Sequence, residues 1–151
     1  MAYLENENAY TKAMMSSTEN LQDSLYQEMR TRIKEDDSTV PQKDGPYYYY
    51  VRFEEGGQYP IYCRKFQSLE DEEEILLDAN LLAADQEYLS VGVFENSPDH
   101  SWLAYSVDTE GSERFTVCIK NLETGELLSE TIPNTYYSLE WANDNQNFFY
   151  S

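Results

Sequence analysis

The sequence of this 151-residue chain predicts a mainly β fold with an N-terminal α-helical arm, the β part being an incomplete β-propeller of about two to three antiparallel blades. Three observations predict it. The first is a repeat. Ser97-Pro98-Asp99-His100-Ser101-Trp102-Leu103-Ala104-Tyr105-Ser106 is echoed by Ala142-Asn143-Asp144-Asn145-Gln146-Asn147-Phe148-Phe149-Tyr150-Ser151, so Asp99 and Asp144 lie 45 residues apart, as do Tyr105 and Tyr150. A turn followed by an aromatic strand, returning at about 40–45 residues, marks a propeller blade. The second is a change of hydrophobic period near residue 44, from helical spacing to strict alternation. The third is aromatic content: 14 Tyr, 6 Phe and 2 Trp make up 15% of the chain, and such side chains suit half-buried pleated surfaces.

Residues 1–35 form the predicted helical arm. No Gly or Pro occurs before Pro41. A first helix runs through Tyr3, Tyr10 and Met14. Ser16 and Glu19 fit a capping box, in which the hydroxyl satisfies a free amide and the carboxylate reaches back. Leu21, Leu25, Met29 and Ile33 then recur every four residues, with Tyr26 beside them, as one apolar stripe of a second helix. That stripe needs a partner surface, which the other helix, the sheet or a further domain would supply. Glu35-Asp36-Asp37-Ser38 reads as a charged linker, and Pro41 ends the helical pattern.

Residues 36–151 are the predicted partial propeller. A hairpin covers 46–66, with strands at 47–53 and 59–66 around Glu54-Glu55-Gly56-Gly57-Gln58. Asp44 to Tyr50 has the spacing of Asp99 to Tyr105, a weaker third copy 55 residues earlier. The excess is assigned to the run Glu70-Asp71-Glu72-Glu73-Glu74 and to a short helix-like insertion over 78–84. A full blade follows at about 89–132, with strands at 89–94, 102–107, 114–120 and 127–132. Within it Phe115, Val117 and Ile119 face one way and Thr116, Cys118 and Lys120 the other. The next blade begins over 136–151, with strands at 136–141 and 147–151.

Charge narrows the function classes. Ten Lys plus Arg against 29 Asp plus Glu leave −19, and no Lys or Arg occurs between Lys65 and Arg114. Such a surface repels phosphate backbones, excludes nucleic acid as a partner and attracts cationic ligands. The acidic run at 70–74 reads as a solvated loop. Cys63 and Cys118 lie far apart in predicted strands, without CxxC spacing or a nearby His, and read as free thiols of a reducing compartment. Glu54, Glu55 and the cluster around Glu72 lack the ordered spacing of a metal loop. No apolar run reaches the ~20 residues of a membrane span, and the acidic N-terminus lacks the basic start of a signal peptide, so a cytoplasmic location and no membrane partner are expected. Tyr47 to Tyr50 read as half-exposed strand tyrosines rather than a peptide-stacking platform.

Several stretches resemble the oligopeptidase B (protease II) branch of the prolyl oligopeptidase family of serine peptidases. They are Tyr3-Leu4-Glu5-Asn6-Glu7-Asn8-Ala9-Tyr10, Arg32-Ile33-Lys34-Glu35-Asp36-Asp37-Ser38-Thr39-Val40-Pro41, Asp44-Gly45-Pro46-Tyr47-Tyr48-Tyr49-Tyr50, the segment Ser97-Pro98-Asp99 to Asp108 and the turn Thr124-Gly125-Glu126. The most branch-specific is Tyr59-Pro60-Ile61-Tyr62-Cys63-Arg64-Lys65. The resemblance implies a larger enzyme in which a seven-bladed propeller caps an α/β-hydrolase domain with a Ser, Asp and His triad. Such an enzyme cleaves short peptides after Lys or Arg, and the propeller excludes folded proteins. It also implies that the helical arm packs near the hydrolase domain and that the chain is an internal fragment.

The chain contains no G-x-S-x-G elbow, and its single histidine, His100, falls in a predicted blade turn as a solvent-exposed residue. Catalytic, cofactor-binding and metal-binding residues are therefore all expected to be none, and the chain alone is expected to be inactive. Expected partners are the missing hydrolase domain, short basic peptides in the full enzyme and a second copy joined through unpaired strand edges. The alternative reading is a stand-alone acidic propeller-like binding module. A nucleic-acid mimic rests on charge alone and is opposed by the ordered strand pattern.

Overall fold

The computed structural model describes residues 1–151, in two units, Met1–Glu35 and Asp36–Ser151. In the first, α1 (Ala2–Met15) runs through a 3₁₀ turn at Ser16–Thr18 into α2 (Glu19–Arg30). The expected capping box does not form. The chain stays helical past Met15, so the Ser16 hydroxyl bonds back to the Ala13 carbonyl at 2.8 Å instead of opening a new helix. Thr18 is the N-cap residue of α2, and its hydroxyl accepts from Gln22 Nε2 at 2.7 Å. Leu21, Leu25 and Met29 lie on α2 as expected, but Ile33 lies in the turn beyond it, where its amide bonds to the Arg30 carbonyl at 3.0 Å. No residue of either helix is buried, and Leu21 is 59% exposed.

The second unit is a succession of antiparallel meanders. The first sheet, in chain order, is β1 (Gln42–Asp44), β2 (Tyr47–Arg52), β3 (Ile61–Phe66) and β4 (Glu73–Asp78). The second is β5 (Ser90–Asn96), β6 (Trp102–Asp108), β7 (Phe115–Asn121) and β8 (Ile132–Thr135). A third holds β9 (Leu139–Trp141) and β10 (Phe148–Tyr150). The sheets are open, and no helix is long and apolar enough to cross a membrane.

The first sheet has four strands where the sequence predicts a hairpin. β1 is polar and short, and pairs with β2 across the Gly45-Pro46 turn, with Asp44 opposite Tyr47. Asp44 therefore sits in a strand, not in a turn like Asp99. The acidic run is not wholly a solvated loop. Glu73 and Glu74 belong to β4, opposite Lys65 and Arg64, where opposite charges across the ladder favour pairing. The residues that lengthen the first repeat are α3 (Ala79–Ala83), capped by the Asp78 carboxylate, and the loop after it. In the second sheet the fourth strand is displaced. Leu127 bridges Lys120 and the Leu128 amide bonds to Ile119, but pairing breaks at Ser129-Glu130-Thr131 and resumes as β8, with Ile132 opposite Val117. β9 and β10 are shorter than the expected 136–141 and 147–151.

Two cores lie between consecutive sheets. Leu76, Leu77, Leu103, Tyr105 and Leu122 pack between the first and second, with Tyr49, Tyr62 and Phe94 against them. Val93, Ala104, Val117, Ile119 and Leu139 pack with Trp102, Trp141 and Phe148 on the other side of the second sheet. β6 is buried on both faces because it serves both cores, and Phe115, Val117 and Ile119 alternate inward along β7. Gly92 is a steric requirement: a Cβ there would stand 2.7 Å from the Phe115 ring.

The repeated turn carries a left-handed residue in each sheet. Gly45, His100 and Asn145 have φ of +53°, +62° and +60°. Each non-glycine member reaches back to the preceding sheet. The Asn145 carboxamide accepts from the Asp99 amide at 3.0 Å, and His100 packs on the first sheet. Asp99 and Asp144 shape their own turns: Asp99 accepts from Ser97, from the Ser101 hydroxyl and from the Ser101 amide, while Asp144 accepts from Gln146 and Asn147.

Candidate functional site

Strand alternation puts Tyr47, Tyr49, Arg64 and Glu74 on the face of the first sheet that meets the second, since Tyr49 is opposite Arg64 and Arg64 opposite Glu74. Arg64 is only 4% exposed. Its Nε and Nη2 donate to the two Glu74 carboxylate oxygens at 2.7 and 3.0 Å, and Nη1 donates to the His100 carbonyl at 2.8 Å. The guanidinium also lies 4.1 Å over the Tyr47 ring. A buried charge is tolerated when its donors are met this fully. Burial works against the Arg64 charge, and Glu74 more than offsets it, so the guanidinium pKa is raised. The His100 ring sits with Nδ1 2.9 Å from the Tyr49 hydroxyl and 5.2 Å from the Tyr47 ring centre. Burial pushes the Tyr49 hydroxyl upward, with Arg64 partly opposing.

The opposite face is ionic. The Tyr50 hydroxyl donates to Glu73 at 2.5 Å, Arg52 Nε donates to Glu73 at 3.0 Å, and Arg52 Nη1 donates to Glu54 at 2.5 Å. Burial pushes the Glu73 carboxyl up, but the bonds from Tyr50 and Arg52 outweigh it and hold it below its ordinary range. Burial, with Glu73 adding, pushes the Cys63 thiol up to about 11. A thiol that keeps its proton at neutral pH is a core residue rather than a nucleophile.

Beside this junction runs a groove of about 640 Å³. Gln42, Lys43 and Asp44 of β1 form one rim, and Phe94 and Asn96 of β5 the other. Tyr49, Tyr50 and Tyr62 line it between them. The Tyr62 and Phe94 rings stack at 4.3 Å. Asn96 Oδ1 is buried without a hydrogen-bond partner. The lining thus combines aromatic surface with acceptor oxygens.

The residues singled out in the sequence fall differently. His100 is not a solvent-exposed turn residue: it is half-buried, because its left-handed backbone turns the ring onto Tyr47 and Tyr49. Tyr47 to Tyr50 alternate between two faces and so form no continuous platform. Glu54 is tied to Arg52, Glu55 and Glu72 are exposed, and no group of three or more His, Cys, Asp or Glu side chains is arranged to hold a metal ion. Cys63 and Cys118 are unpaired. Arg64, Glu74 and Asn96 were not legible as site residues. The one available signal was a cation inside the apolar strand Ile61-Tyr62-Cys63-Arg64.

Comparisons with known proteins match the chain along essentially its whole length. A family model described as "Prolyl oligopeptidase, N-terminal beta-propeller domain" matches residues 1–151. The chain is 40% identical to dipeptidyl aminopeptidase BI of Pseudoxanthomonas mexicana over 165 residues, covering 99% of this chain and 23% of that protein. It is 40% identical to protease 2 of Moraxella lacunata over 156 residues, again covering 99% of this chain and 23% of the relative. Among solved structures it is similar to oligopeptidase B from Leishmania major, with a TM-score of 0.88, 30% identity, and coverage of 99% of this chain and 22% of that one. The chain therefore spans about a quarter of the length of these relatives.

Proposed function

Because the chain belongs to the prolyl oligopeptidase family, as an N-terminal β-propeller domain, we propose that it is the gating part of a serine peptidase that cleaves short peptides after Lys or Arg. The observation that carries this reading is the family match along all of residues 1–151, alongside relatives about four times as long. In this reading an α/β-hydrolase domain of the same polypeptide supplies the Ser, Asp and His, and this chain supplies blades that restrict access. Residues 1–35 would be the helical arm and residues 36–151 the partial propeller. The net charge of −19 supports a basic substrate, since a field of this sign concentrates cationic peptides near the entrance. Two unpaired thiols support a cytoplasmic location. The open first sheet leaves the edges of β1 and β4 unpaired, which supports self-association through strands, and light scattering across concentration tests it.

One relative is named a dipeptidyl aminopeptidase, which favours a second reading: release of dipeptides from a free N-terminus. A single experiment separates the two. The full-length polypeptide and the 151-residue chain are each given fluorogenic Arg-ended dipeptides with blocked and with free N-termini. Cleavage of the blocked substrate by the full-length protein, and none by the chain alone, is expected. Cleavage confined to the free-amino substrate favours the second reading, and turnover by the chain alone at the rate of a complete peptidase overturns both.

A further inference from the structure

The geometry points to the groove between β1 and β5 as a binding site for a basic side chain, carried by a short extended peptide. This rests on the reading of the parent enzyme as a peptidase for basic peptides, and names a place on the propeller where such a peptide is held.

The groove has a local cause. Ser38 bridges Arg52 and Gln42 pairs with Tyr49, so four steps along one strand match three along the other. The extra residue is accommodated at Val40-Pro41, as a bulge on the free edge of the first sheet, where proline has no amide to lose. Pairing opens there, and the groove lies along the opening. Its volume, about 640 Å³, suits a side chain with the peptide units on either side of it.

The lining selects the charge. Tyr49, Tyr62 and Phe94 offer aromatic surface, which attracts ammonium and guanidinium groups. Asp44 brings a carboxylate to the rim, and Asn96 lies on the other side with a carboxamide oxygen, covered from solvent, that no donor in the protein satisfies. A guanidinium has five N–H donors and no acceptor, so it complements a surface of this kind, whereas a carboxylate does not. Lys43, the cation at the rim, has its ammonium over the Tyr48 ring, and Tyr48 lies outside the groove.

The test titrates the 151-residue chain with acetyl-Ala-Arg-Ala-amide, and with the same peptide carrying citrulline, a neutral near-isostere, or Glu, at physiological salt. Saturable binding of the Arg peptide is expected, at least tenfold tighter than citrulline, with no binding of Glu. Asn96→Leu is expected to weaken binding about tenfold without lowering the melting temperature, because it removes a buried oxygen that has no partner. Asp44→Asn, at an exposed position, is expected to weaken it similarly and covers the case in which Asn96→Leu misfolds. Equal affinity for Arg and citrulline, or Arg binding untouched by both substitutions, overturns the site. The full-length polypeptide is assayed in parallel for cleavage after Arg. Cleavage without groove binding overturns the groove and leaves the peptidase reading standing. Groove binding without cleavage after Arg supports the groove and removes that reading.

Discussion

At position 45 a glycine is demanded twice over. Its φ is +53°, and a Cβ would stand 2.4 Å from His100 Nε2. Gly45→Ala is expected to destabilise the chain by about 2 kcal/mol, combining left-handed strain with displacement of the ring. Combined with His100→Ala, the steric part vanishes, so the double-mutant cycle in chemical denaturation should show a coupling of about 1 kcal/mol; strict additivity would contradict the contact. Glu74→Gln is expected to cost about 1 kcal/mol: Arg64 is 4% exposed and loses its counter-charge, but the Glu74 side chain is 43% exposed, so water makes up part of the loss. A denaturation midpoint within error of the parent chain would show that the pair is dispensable. None of this was legible beforehand: the sequence marked His100 as the lone histidine of a turn, but only a contact across 36 residues, Arg64 to the His100 carbonyl, shows what the turn holds.

Elements differ in how openly they are written. β6 and β7 were legible because their alternation is long and their apolar positions unbroken. β1 and β4 were not, since Gln42-Lys43-Asp44 has no apolar pattern and Glu73-Glu74 continues a charge run that solvent alone would explain. Their pairing is decided by neighbours in space, β2 for one and Arg64 with Lys65 for the other. The helices show the converse. The apolar stripe of α2 is clear, yet no residue of either helix is buried, and helices of 14 and 12 residues are marginal without packing. Hydrogen exchange of the isolated chain should therefore be fast throughout α1 and α2 and slowest in β6, the strand shared by both cores. Comparable protection in α2 and β6 would show that the apolar stripe is covered.

For the molecule as a whole, burial of acidic protons makes alkali the weak side. Cys63 is pushed up to about 11 and Tyr105 to about 12, both chiefly by burial, whereas their ordinary values are 9.0 and 10.0. Above pH 9 the unfolded chain releases these protons while the folded chain keeps them, so the unfolded state binds fewer and stability falls as pH rises. The contribution is complete below pH 9 and is lost through pH 11 to 12. The melting temperature is expected to be steady from pH 7 to 8.5 and to drop beyond it; a flat profile to pH 11 would contradict the burial of these groups. The chain by itself determined its class and its rhythm. The 45-residue repeat, the switch of period near residue 44 and the aromatic strands all follow from spacing, which is a property of sequence. The tertiary structure decided which strands complete each sheet, which charges are buried and where the groove opens. Those depend on residues from separate repeats meeting across sheets, where a salt bridge, a bulge or a left-handed turn has a meaning that its own neighbours in the chain do not carry.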